Sequence, residues 1–107
     1  MSSTRWLLLY CAFALLPAGA FADEGGDIYR QACAFCHAAG IQGIPGVPKL
    51  GTQTDWSDRL AAGRSEMLRS VLRGKGAMPP KGGNASLSDT QATEALDYML
   101  SKIKLKK

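Results

Sequence analysis

Cys33-Ala34-Phe35-Cys36-His37 is the stretch on which the reading of this 107-residue chain turns, and His37 is its single histidine. Residues three apart on a helix share a face, so both thiols point the same way, with an imidazole directly behind them. C-x-x-C-H is the spacing of a c-type haem attachment site. The two sulfurs reach the vinyl groups along one porphyrin edge, and the next residue leads a nitrogen to the iron, as haem ligation requires. Cys33 and Cys36 are therefore the expected thioether residues and His37 the expected proximal ligand of one covalently bound haem c. Three other readings fit less well. A disulfide closing so short a loop gains little. A redox dithiol wants a βαβ context, and no strand-like runs appear. A closed zinc site wants four ligands, more than the Cys and His residues after position 22 supply.

Upstream of the motif, residues 1–22 carry one charge, Arg5, ahead of an apolar run from Trp6 to Leu16. Pro17 and the small residues Ala18, Gly19 and Ala20 follow, then Ala22 before Asp23-Glu24. This is the layout of a cleavable secretory signal peptide. The rival is a retained anchor, although the apolar run falls short of the roughly 20 residues a span needs. A lipoprotein cut before Cys11 would want a small residue where Tyr10 stands. Export leaves residues 23–107 as one small domain. It removes one of 13 basic side chains and none of the 9 acidic ones. Tyr29, Phe35, Trp56 and Tyr98 remain as the only aromatics, thin for a domain of this size. A further hydrophobic body is expected in the core.

The iron wants a sixth ligand, and with no second histidine a methionine is the expected partner, one that raises the reduction potential. Met67 and Met99 fall at helical spacing with Leu68, Val71 and Leu72, or with Ala92, Ala95, Leu96 and Ile103, and read as core. Met78 differs. It stands in Gly74-Lys75-Gly76-Ala77-Met78-Pro79-Pro80-Lys81-Gly82-Gly83, which is neither helix nor strand interior. Glycines let that backbone approach a flat ring, and two prolines stiffen it behind the sulfur. Met78 is the expected distal ligand.

With both motifs in view, the chain resembles a class I c-type cytochrome, and more closely the bacterial cytochrome c5 group. The resemblance runs from about residue 25 to residue 102. It is carried by Cys33–His37 with Ala38-Ala39-Gly40, Pro48-Lys49-Leu50-Gly51, Trp56 and Arg59, the Met78-Pro79-Pro80-Lys81-Gly82-Gly83 loop, Leu87-Ser88-Asp89, and Asp97-Tyr98-Met99. It implies an all-α, cytochrome c-like fold of about four short helices around one covalent haem. It also implies a proline carbonyl accepting a hydrogen bond from the proximal histidine, for which Pro45 and Pro48 are both candidates. The chain departs from the group in two ways. Asn84 follows Gly83, with no cysteine pair to staple the methionine loop, and the stretch 43–48 is slightly long. Trp56 reads equally as packing at the ring or a propionate and as an aromatic that anchors a loop.

Locally, a first helix is expected over 24–36, loop over 40–51, and short helices over 55–62 and 65–73 separated by Gly63. Ser88-Asp89-Thr90-Gln91 is a capping box opening a last helix that runs to about residue 102 and packs on the first. These features predict a periplasmic, bacterial electron carrier that serves larger redox proteins. No nucleic acid and no lasting membrane insertion are expected. Lys75 and Lys81, flanking Met78, are the expected docking charges. A ligand at both axial positions leaves no site for substrate, so no enzymatic activity is expected. The alternative is a haem-bearing electron-transfer subunit of a periplasmic oxidoreductase. A sensor with a labile sixth ligand is a third class.

Overall fold

The structure, a computed structural model, describes residues 22–103. The signal-peptide reading of residues 1–22 therefore lies almost wholly outside the described residues, as does most of the basic tail. Five α-helices follow one another: α1 (Ala22–Ala32), α2 (Ala34–His37), α3 (Gln53–Ala62), α4 (Arg64–Arg73) and α5 (Asp89–Ser101), with a 3-10 turn at Pro80–Gly83 ahead of α5. No strand occurs among the described residues, only an isolated bridge between Lys75 and Met78.

The expected first helix is divided in two. At Cys33 the backbone takes φ −119°, well away from the helical value near −63°, and the chain turns there. Beyond the turn, the single turn of α2 carries Phe35 outward, 83% exposed, and His37 inward, 7% exposed. The expected break at Gly63 is present. Its φ of 99° ends α3, and its amide caps that helix on the carbonyls of Arg59 and Leu60. The capping box is formed in full, Gln91 N–H donating to Ser88 Oγ at 3.0 Å and Ser88 N–H to Gln91 Oε1 at 2.9 Å.

The first and last helices pack along each other, and Gly25 makes this possible. A Cβ there would fall well inside 3.0 Å of the Glu94 carbonyl oxygen, a backbone atom that cannot move aside. Gly26 lies under the Tyr98 ring, and Tyr98 meets Tyr29 with ring centroids 5.3 Å apart. The core gathers Tyr29, Trp56, Met67, Leu96, Met99 and Ile103. Met67 and Met99 are thus core residues, as their helical spacing indicates. A surface pair, Arg64 to both Asp97 carboxylate oxygens at 2.9 Å, joins the start of α4 to α5. It is about half exposed and contributes little beside the apolar packing.

Candidate haem site

His37 is the best-held side chain of the site. Its Nδ1 lies 2.7 Å from the Pro48 carbonyl oxygen. A carbonyl only accepts, so Nδ1 is the protonated nitrogen and the lone pair of the neutral ring is on Nε2. Burial pushes the imidazolium pKa down. The Pro48 hydrogen bond opposes this and nearby Arg59 adds to it, so the ring is neutral near pH 7. The structure thus chooses Pro48, not Pro45, as the proline that orients the histidine. The backbone of His37 is held as well: its carbonyl accepts from Leu50 N–H at 2.8 Å and from the Tyr29 hydroxyl at 3.3 Å.

The loop that supplies Pro48 is pinned by α3. Trp56 Nε1 donates to the Lys49 carbonyl at 2.8 Å, and the Asp55 carboxylate accepts from Lys49 N–H at 3.1 Å. The indole also stacks on the His37 imidazole, centroids 5.9 Å apart and planes at 28°. Trp56 therefore anchors the loop, and in doing so it braces the histidine. Replacing Trp56 by Phe keeps an aromatic face but leaves the Lys49 carbonyl without its donor. A loss of about 1–3 kcal/mol of stability is expected, read by urea unfolding. An unchanged midpoint would show that the loop does not depend on the indole N–H. Gly43 closes the other end of the same loop, lying so near the Cys36 and Ala38 carbonyls that no side chain fits.

Cys33 and Cys36 are half-buried and not bridged to each other. Burial, then the neighbouring Cys36, pushes the pKa of the Cys33 thiol upward. Met78 is seated elsewhere, in a hairpin after α4, its amide and carbonyl both bonded to Lys75 at 2.9 and 3.0 Å. The Pro80–Gly83 turn that follows the hairpin rests against the end of α1. A Cβ on Gly82 would collide with the carbonyl of Ala32, the residue before Cys33. Lys81 is not a free surface charge. Its ammonium donates to the Leu87 carbonyl at 2.9 Å and pairs with Asp89 at 2.8 Å, whereas Lys75 is exposed.

These residues fit a haem c. A neutral imidazole with its outer nitrogen free to bind iron, two unbridged thiols three residues apart for the vinyl groups, and a methionine on a backbone-bonded hairpin are the side chains that would hold a haem c. Among the described residues no large side chain is completely enclosed, in keeping with a core that a flat macrocycle completes. No group of three or more His, Cys, Asp or Glu residues suited to another metal is found among them. Tyr29, Asp55 and Leu50 are supports that sequence reasoning passed over. Tyr29 stands there only among the aromatics, Leu50 only within the Pro48–Gly51 stretch, and residue 55 only as the start of a helix.

Comparison with known proteins agrees with this reading. Residues 20–99 match the family described as cytochrome C oxidase, cbb3-type, subunit III. Cytochrome c-555 of Chlorobaculum tepidum is 39% identical over 99 residues, covering 85% of this chain and 89% of that protein. Cytochrome c5 of Ectopseudomonas mendocina is 37% identical, covering 77% and 93%. A chain from the electron transfer complex of nitrite reductase with cytochrome c superposes with a TM-score of 0.66. It is 41% identical and covers 76% of this chain and 95% of its own length. Fold, site and relatives place the chain in one class, the small c-type cytochromes. It belongs to the class I c-type cytochromes and is c5-like, and its cofactor is covalently bound haem c.

Proposed function

We propose that this chain is an exported electron carrier of the bacterial periplasm, passing single electrons between larger redox proteins. Cys33 and Cys36 are its thioether residues and His37 and Met78 its axial ligands. Haem c, when bound, supplies a one-electron iron couple. The protein's part is to hold the donors in one geometry through both oxidation states. The observation that carries the reading is the 2.7 Å contact between His37 Nδ1 and the Pro48 carbonyl, since it orients the ring and strengthens its outer nitrogen as a donor. Electron transport suits the relatives, which are themselves small cytochromes spanned almost end to end by the match. A partner of the redox-enzyme class is in keeping with the complex in which the structural neighbour was solved.

Among the described residues no helix is long and apolar enough to cross a membrane. Exposed Lys75 is the docking charge beside the Met78 hairpin; the Lys81 ammonium is engaged within the fold. The oxidase-subunit description of the matching family favours a second reading, a haem-bearing subunit of a larger oxidoreductase. Co-purification with a larger redox chain would establish that instead.

Absorption spectra test the primary assignment, on protein matured in the periplasm with the cytochrome assembly machinery. Sharp reduced bands that resist acid–organic extraction, with a methionine-to-iron charge-transfer absorption in the oxidised form, are expected. Extractable haem would overturn the thioether assignment. Absence of the charge-transfer absorption would overturn the assignment of Met78.

A further inference from the structure

Lys81 is the only non-glycine residue among the described residues with a left-handed backbone, at φ 54° and ψ 34°. A lysine persists in that conformation only where its surroundings over-determine it. Two contacts do so: Nζ donates to the Leu87 carbonyl at 2.9 Å and pairs with Asp89 Oδ1 at 2.8 Å. The Lys81 side chain is 22% exposed and its Asp89 partner 75%, so the ammonium itself is partly buried and doubly engaged. Charge-assisted hydrogen bonds of that kind are the strong ones.

Leu87 and Asp89 flank Ser88, the N-cap of α5. The ammonium thus ties the methionine loop to the start of the last helix, while Gly82 presses the same loop on Ala32 at the end of the first. Only Pro79 and Pro80 separate Met78 from Lys81. Their rings restrict the backbone torsions between the two, so a shift at Lys81 reaches Met78 instead of being absorbed. No cysteine follows Cys36, so no disulfide within the chain can staple this loop.

We propose that Lys81 is a positioning residue for Met78: its ammonium, gripped by the Leu87 carbonyl and the Asp89 carboxylate, holds the thioether in place as a non-covalent staple. This rests on Met78 being the distal ligand. The staple opposes release of the sulfur, and its loss shows as easier entry of an external ligand at the same position.

The test is the rate at which imidazole binds the oxidised holoprotein, followed with the methionine-to-iron absorption and the reduction potential. Lys81→Gln and Asp89→Asn are each expected to speed binding by about tenfold. The double variant should be little faster than Lys81→Gln alone, because that change already removes the contact to Asp89. A mere field effect would behave otherwise, since one substitution removes a positive charge and the other a negative one. Changes of opposite direction, or an unaltered rate in Lys81→Gln, would overturn the staple. Asp89 is 75% exposed and Asn is nearly isosteric, so that arm reads out in folded protein. Met78→Ala separates the two ideas. Retention of the charge-transfer absorption in that variant overturns the ligand assignment and the staple with it. Its loss there, with no effect of Lys81→Gln, overturns the staple alone.

Discussion

Met78→Ala is expected to lower the reduction potential by more than about 100 mV, a modest part of the ~0.8 V that axial ligation commands in haem proteins. Methionine opposite histidine raises the potential, and the substitution removes the thioether while leaving the backbone of the loop intact. The Lys75–Met78 backbone pairing needs no side chain, so the hairpin survives and the effect is confined to the iron. The same variant should bind carbon monoxide readily when reduced, whereas the parent, with its sixth position filled, is expected to resist it. Met67 and Met99 are 7% and 4% exposed within the core cluster, committed to packing. A Met99→Leu variant should therefore shift stability and leave the potential where it was. If Met78→Ala leaves the potential unchanged, the distal ligand is another residue.

Gly82→Ala should cost about 3 kcal/mol, because two penalties coincide. At φ +65° an L-residue is strained by roughly 1–2 kcal/mol. Its Cβ would also stand well inside 3.0 Å of the Ala32 carbonyl oxygen, and overpacking of that kind costs about 1–3 kcal/mol. Gly76→Ala isolates the first penalty, since φ there is +57° but no atom lies within 4 Å of the added carbon. Urea midpoints for the two variants should differ by the contact contribution. Oxidised Gly82→Ala protein should lose its methionine absorption well before it unfolds, as the Pro80–Gly83 turn lifts from α1 and carries the methionine loop with it. Equal midpoints would mean that the Pro80–Gly83 turn is not pressed on α1 in solution.

Both predictions touch residues that could be picked out before any fold was known. Met78 stood out because glycines and prolines surround it, and the same residues exclude helix. The thiol pair and His37 were legible for a similar reason, their chemistry being written into a spacing of five consecutive residues. The capping box of α5 and the break at Gly63 belong with them. In each case the interacting groups are within four positions, and backbone geometry alone brings them together.

Other features needed the packed chain. The choice between Pro45 and Pro48 depends on how Trp56 and Asp55, from another helix, pull on Lys49. The division of the first helix at Cys33 follows from the turn that sends His37 inward while Phe35 stays in solvent. Lys81 is read from the chain as a free docking charge, since its acceptors lie on the far side of a turn. Its partners become visible only once α5 is placed. The amino-acid sequence by itself determined the cofactor chemistry and the helical class, because those rest on local spacing. Only the tertiary structure decided which carbonyl orients the histidine and which groups the Lys81 ammonium engages. Those contacts join separate structural elements, and packing alone sets the distance between them.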